Sequence, residues 1–231
     1  MVELLAWHGL VSVLAVGSIV LAACAPRDVP AARSDEPGAL RPLPEPAEPV
    51  SGSVEDVIAT RRSVRDYADR PVSDADIGQL LWAAQGVTDP SGKRAVPSAG
   101  ATYPLEVYAV TADAVAHYQP DRHALVVHVG SDRRADLAAA ALGQRWVADA
   151  PLVVVFAGVV ERTAVRYGDR ASRYMLLEAG HAAQNVLLQA VGLGLVAVPV
   201  GAFDDEAVAD ALDLPADHAP LYLIPVAHPV G

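Results

Sequence analysis

From Ser53 onward the chain alternates segments of helical and of strand periodicity. "SVEDVIAT" places a serine ahead of an apolar-periodic run with an acid three residues on, which predicts a capped helix start at Ser53. Ser73 stands in the same relation to "DADIGQLLWAAQG", where Ile77, Leu80, Leu81 and Ala84 recur on one helical face and Gly86 ends the run. Apolar runs over 105–111, 124–130, 151–159, 194–201 and 220–227 predict strands, and "QPDRH" between Ala116–Tyr118 and Leu125 predicts a hairpin. The longest helical segment, 170–191, is apolar on nearly every face, interrupted only by Glu178, His181, Gln184 and Asn185, as expected of a central helix. Gly192 and Gly194 follow it as a stop, and Asp204 opens a further helix. Hairpins mixed with helices, without strict βαβ alternation, predict an α+β fold around a mostly antiparallel sheet.

The first 52 residues follow a different pattern. Leu10–Ala23, "LVSVLAVGSIVLAA", is a continuous apolar run that ends against Cys24, and "LAAC" resembles the lipobox of bacterial lipoproteins. Residues 1–23 then form a signal peptide, Cys24 is the lipidation site, and the mature protein is a membrane-anchored lipoprotein of the cell envelope. An uncleaved membrane anchor and a buried core helix are the alternatives, and the absence of Lys or Arg before the run departs from the usual signal. Residues 24–52 carry seven prolines and almost no large apolar side chain, so they read as an extended tether whose second half could lie along the domain as an arm. The folded domain is expected over 53–231.

Composition narrows the function classes. At 231 residues with 52% hydrophobic residues, the chain can fill a substantial core. Its 28 acidic against 17 basic residues give a net charge of −11, which argues against nucleic acid and against anionic lipid as partners of its surface. One cysteine allows no intrachain disulfide, the seven histidines include no HxxxH pair, and no metal site is expected.

Against that acidity, "ATRRSVRDYADRPV" gathers Arg61, Arg62, Arg65 and Arg70 at a helix end. Guanidiniums with the Ser63 hydroxyl suit a phosphate; a solvated loop paired with Asp66, Asp69 and Asp74 is the plainer alternative. "VPSAGATYPLEVY" runs from small residues, Pro97, Ser98 and Gly100, into a strand, and such a turn either lets a flat ligand reach the backbone or is merely a loop. Glu178 and His181, one helical turn apart, are candidate acid–base groups or a self-satisfied pair. No G-x-S-x-G elbow is present, and the glycines of "GLGLVAVPVG" lie in helix-to-strand order, the reverse of a dinucleotide fingerprint.

Taken in order, "RRSVRDY", "LLWAAQG", "PSAGATYPLEVY", "LGQRWVADAPLVVVF", "RYMLLEAGHAAQNVLLQAVGLG" and "VPVG" resemble the nitroreductase superfamily, most nearly its SagB-type, thiazoline/oxazoline dehydrogenase-like branch, over about residues 40–231. The resemblance implies an interlocked α+β homodimer with FMN in two interface sites, and an FMN-dependent oxidoreductase that passes hydride between flavin N5 and a small or peptide-borne substrate. Arg61, Arg62, Ser63 and Arg65 match the segment that holds the phosphate, ribityl chain and pyrimidine edge. Pro97, Ser98 and Gly100 match the loop that packs on the flavin, in many members from the opposite subunit. Pro199, Val200 and Gly201 match the strand end near N5. Where azoline dehydrogenases carry a Lys-Tyr pair, this chain has Arg173 and Tyr174, so Tyr174 joins Glu178 and His181 as a catalytic candidate. No Lys or Arg follows Arg173 to supply the usual C-terminal phosphate contact. An NAD(P)H-dependent nitro or quinone reductase, and a membrane-tethered flavin-fold binding protein without turnover, are the alternative readings.

Overall fold

The computed structural model describes residues 35–46 and 52–231. The apolar run 10–23, the lipidation candidate Cys24 and the first part of the tether lie outside the described residues. Among the described residues, no helix is long and apolar enough to cross a membrane, and no group of three His, Cys, Asp or Glu side chains is placed to hold a metal ion.

Seven strands form one sheet among the described residues: β1 (Leu40–Pro42), β2 (Leu105–Val110), β3 (Val115–Gln119), β4 (Ala124–Val129), β5 (Leu152–Gly158), β6 (Val196–Ala197) and β7 (Ala219–Ala227). Their order is β1-β4-β3-β2-β5-β7-β6 and every strand pair is antiparallel, as an α+β pattern of hairpins requires. The helices are α1 (Val54–Thr60), α2 (Asp74–Gln85), α3 (Arg134–Ala140), α4 (Arg145–Asp149), α5 (Val160–Tyr167), α6 (Ala171–Gly192) and α7 (Asp205–Leu212).

Strand β5 shows how the sequence sets the layers. All seven of its residues are buried, and the period of two sends alternate side chains to opposite faces. Leu152, Val154 and Phe156 pack with Ile77, Leu80 and Leu81 of α2 and with Ala182, Val186 and Ala190 of α6. Val153, Val155 and Ala157 pack with Leu137 of α3, Val147 of α4 and Val208 and Leu212 of α7. An antiparallel sheet covered on both faces explains the unbroken apolar run "PLVVVFAGV", and each large side chain so buried contributes about 1.5–3 kcal/mol.

The helix starts follow their caps. Ser53 accepts from the Asp56 N–H at 3.1 Å while its own N–H donates to the Asp56 carboxylate, and Ser73 accepts from the Asp76 N–H at 3.1 Å. Helix α6 runs through Gly192, and it is Gly194, at φ 71°, that takes the left-handed turn beyond it. The strand predicted over 194–201 contracts to Val196–Ala197: the Val198 N–H still donates to the Pro225 carbonyl at 3.2 Å, but Pro225 has no N–H to return the bond, and a full exchange is next made by Val200 with Leu223. The proline-rich segment supplies the sheet's edge: β1 pairs with β4, Leu43 is buried, and Arg41 pairs with Asp74 at 2.8 Å.

Candidate active site

The structure brings the arginine segment and the "VPVG" segment together. Past the end of α1, Ser63 forms a parallel bridge with Ala197 and the Val64 N–H donates to the Ala197 carbonyl at 3.2 Å, so residues 63–64 extend the sheet beyond β6. The four arginines then separate by role. Arg62 Nη1 turns back onto the carbonyls of Ala59 and Arg61, at 2.9 and 2.8 Å, where a cation complements the C-terminal end of α1. Arg65 lies over the Trp146 ring, its guanidinium carbon 5.1 Å from the centroid. The Arg61 side chain has no partner among the described residues. Arg70 lines a different cavity, with Arg41 and Arg134.

Beside Arg65, Trp146 Nε1 and Tyr67 Oη are buried without a partner, an uncommon condition for polar atoms. Burial also pushes the Tyr67 phenol up, against the lowering effect of Arg65, so it stays a neutral O–H donor. The Gly201 N–H likewise finds no acceptor among the described residues, while both polar groups of Val200 are taken up by Leu223. A Cβ on Gly201 would reach only the Tyr222 ring, at 3.6 Å, so glycine here leaves the outer face open instead of relieving a clash. This sheet end therefore offers cationic and neutral donors beside the carboxylates of Asp66, Asp69 and Asp149, and its guanidiniums are the groups suited to a planar, oxygen-rich anion.

A second group assembles on α6. Tyr174, Leu177, Glu178 and His181 lie one turn apart along one face and, with Pro97 and Ser98, line a pocket of about 280 Å³. Glu178 is 2% exposed, and its carboxyl stands 3.5 Å from Gln85 Nε2. Burial pushes the carboxyl up to about 7, against the lowering effect of hydrogen bonds from Ser98 and Gln85 and of the Arg94 charge. His181 is exposed and no hydrogen bond joins it to Glu178 among the described residues. Tyr174 Oη accepts from Arg170 Nε at 2.8 Å.

The loop before β2 is held in an unusual shape. Gly100, Ala101 and Tyr103 all have positive φ, at 62°, 53° and 45°, and two of the three pay the steric cost of a side chain there. What holds them is local: the Tyr103 N–H donates to Ser98 Oγ at 2.9 Å, Thr102 and Thr163 hydroxyls meet at 2.8 Å, and Arg162 Nη1 donates to the Tyr103 carbonyl at 3.1 Å. A Cβ on Gly100 would come within 2.8 Å of Tyr167 Oη and 3.0 Å of Arg166, so the glycine is also required by α5.

Several of these residues carried no signal in the sequence. Gln85 and Arg94, bonded to each other at 3.1 Å, reach Glu178 from α2 and from the loop that follows it, and Trp146 meets Arg65 from α4. Each lies more than 80 residues from its partner, or is an ordinary residue of its own element. No hydrogen bond, ion pair or ring contact among the described residues connects the α6 group with the sheet-end group.

A three-layer α+β chain with these two groups has the architecture of a flavin-dependent oxidoreductase, and comparison with known proteins gives the family. The sequence profile of the Nitroreductase family matches residues 58–228. A protein of Methanocaldococcus jannaschii whose name places it among nitroreductases is 44% identical over 183 residues, covering 77% of this chain and 91% of its own. A crystal structure from Ralstonia eutropha, described as a nitroreductase, superposes with a TM-score of 0.78 at 25% identity over 86% of this chain and 92% of that one. The NADPH:FMN oxidoreductase of Vibrio harveyi, at 22% identity and TM-score 0.59 over 77% of this chain and 69% of its own, shares the fold. This chain belongs to the nitroreductase family.

Proposed function

We propose that the protein is an FMN-dependent oxidoreductase of the SagB-type branch that passes hydride between flavin N5 and a small or peptide-borne substrate. The observation that carries this reading is the sheet end where Ser63 and Val64, flanked by Arg61 and Arg65, pair with Ala197 just before Pro199–Gly201, beside the unpartnered Tyr67 Oη and Trp146 Nε1. In this reading Arg61 and Ser63 hold the phosphate and ribityl chain, Arg62 fixes the end of α1 beneath them, and Arg65, kept in place by Trp146, faces the pyrimidine edge. A guanidinium at that edge stabilises negative charge on a reduced ring, and the Gly201 N–H beside Pro199 and Val200 is the free backbone donor for N5. When bound, FMN supplies the hydride chemistry. The protein's part is to position it, to exclude water and to move a proton, for which Tyr174, Glu178 and His181 line one pocket.

The α6 pocket and the sheet end are then halves of one site contributed by two subunits. Pro97, Ser98 and Gly100 of one chain close over the flavin held by its partner in a homodimer. The Vibrio harveyi relative is named for NADPH and FMN, which keeps an NAD(P)H-dependent nitro or quinone reductase as the second reading. For the N-terminal segment we propose lipidation at Cys24 and a place on the cell-envelope membrane; metabolic labelling with a fatty acid, present in the native chain and lost in Cys24→Ser, tests it.

The visible spectrum of the purified protein tests the main reading. Native protein should copurify with, or take up, about one FMN per chain. Arg61→Ala with Arg65→Ala should lower flavin affinity by at least ~100-fold while the fold survives, since each lost charge-assisted contact costs about 1.5–3 kcal/mol. Undiminished flavin occupancy in that variant overturns the assignment.

A further inference from the structure

A second arginine cluster lies beside Tyr174, which lines the α6 pocket. Arg166, Arg170 and Arg173 are exposed on a chain of net charge −11, and none of the three is paired with a carboxylate among the described residues. Other arginines of this molecule do find such partners: Arg41 on Asp74, Arg134 on Asp132, Arg145 on Asp149 and Arg162 on Glu106. Arginines without a carboxylate partner among the described residues also occur elsewhere, Arg61, Arg65 and Arg70 among them, so what sets these three apart is their clustering beside Tyr167 and Tyr174.

The surroundings of Arg166 and Arg170 keep those two in place. Arg170 donates to Tyr174 Oη, and its guanidinium carbon lies 5.3 Å from that ring's centroid. Arg166 lies 5.5 Å from the Tyr167 centroid and against Gly100, and the Tyr167 and Tyr174 rings meet edge to face at 5.1 Å. Tyr174 carries this array to the pocket wall, where Pro97, Ser98 and Leu177 provide an apolar slot. Glu178 is the one carboxyl lining that pocket, and its burial leaves it partly protonated near neutral pH. An entering anion thus meets cations at the rim and no fixed opposing charge inside.

We infer that the Arg166, Arg170 and Arg173 rim selects substrates whose planar reactive group carries a carboxylate. The inference rests on the flavin reading only for what happens to that group once it is bound. A guanidinium held by its own aromatic neighbour is oriented before the ligand arrives, so less freedom is lost when the carboxylate docks.

Calorimetric titration of the flavin-loaded full chain with 4-nitrobenzoate and its neutral isostere 4-nitrobenzamide tests this. The native protein should bind the carboxylate at least about ten-fold more tightly, with the preference shrinking as salt is raised. Arg170→Gln with Arg173→Gln should bring the ratio of the two affinities close to one, and Arg170→Lys with Arg173→Lys, which keeps the charge but loses the oriented fork, should restore only part of it. Equal affinities in the native protein, no binding of either probe, or a preference that survives the double Gln variant each overturn the inference. A change of oligomeric mass in the Gln variant without a change of ratio overturns it too, because the arginines then answer a carboxylate of a second subunit. Flavin occupancy is read on the same samples: flavin-bound protein without anion preference refutes this inference alone, whereas flavin-free protein refutes the reading beneath it.

Discussion

Two carboxyls, one buried and one partly buried, show how far neighbours decide what one residue can do. Burial acts to raise both. At Glu106 it is outweighed by hydrogen bonds and charge from His117, at 2.6 Å, and from Arg162, which together hold the carboxyl down at about 2. At Glu178 the neutral donors and the Arg94 charge do not suffice, and the group sits at about 7 against its usual 4.5. The folded state therefore binds the Glu178 proton more tightly than the unfolded chain does. Its contribution to stability is fully present below about 4.5 and is lost as pH rises through 7; a shift of this size corresponds to about 3 kcal/mol. Glu106 has the opposite sign, its contribution present above 4.5 and lost as pH falls through 2, so it stays clear of that window. His218, lowered by burial, also has the opposite sign and does overlap it. Comparing Glu178→Gln with the native protein removes that overlap. In urea unfolding at pH 5 and pH 8 the variant should lose about 3 kcal/mol less stability over the interval than the native protein, and parallel profiles would rule out a protonated Glu178.

Among elements, the edge strand β1 depends on one glycine at the far end of β4. A Cβ on Gly130 would stand 2.1 Å from the Asp35 carbonyl oxygen, a backbone atom that can yield only if the arm moves. The arm is otherwise tied by Gly38 and Val127 at 2.8 Å, by Arg41 and Asp74, and by His123 Nε2 on the Pro44 carbonyl at 2.8 Å. Gly130→Ala should displace residues 35–37, speed amide exchange across 38–43 by at least ~10-fold and cost about 1 kcal/mol of stability, with β5 and α6 unaffected. Unchanged exchange in the arm would show that the contact is not rigid. This element also marks what the sequence could and could not convey. Ser53, Ser73 and Gly86 each act on neighbours a few residues away, and the caps they imply are present. "LRPLPEP" has no apolar alternation and three strand-breaking prolines; its first three residues become a strand only because β4 exposes an edge more than 80 residues later, and no local signal carries that. The candidate site divides the same way. Segments 61–65 and 97–100 stood out by composition and 199–201 only through the family resemblance, whereas Gln85, Arg94 and Trp146 join it by tertiary contact alone. Within the first segment, too, the split between Arg62 on a helix end and Arg65 on Trp146 is decided by backbone direction, which three arginines within five residues do not encode.

At the scale of the molecule, the least settled surface is the one that should meet a second copy. Helix α1 buries none of its residues, leaving Val54 64% and Ile58 57% exposed, and α6, the longest helix, leaves Leu176 57% and Leu177 53% exposed. A seven-residue helix has little stability of its own, so an amphipathic one with its apolar residues in water lacks a reason to persist in an isolated chain. The two halves of the proposed flavin site have the same deficiency: one buries Tyr67 Oη and Trp146 Nε1 without a partner, the other is a pocket joined to the first by no contact among the described residues. A single arrangement answers both, in which α1 and α6 of one chain cover their counterparts and carry the 97–101 loop to the partner's sheet end. Light scattering of the flavin-loaded protein should give twice the mass of the chain. Ile58→Asp with Leu176→Asp should produce a monomer, because burying two uncompensated carboxylates opposes any apolar interface, and flavin should be lost in parallel with the dimer although neither residue lies in either half-site. A native monomer that retains stoichiometric flavin would sink the shared site, and would require Arg61, Arg65 and Gly201 of one chain to hold the cofactor without the loop of another.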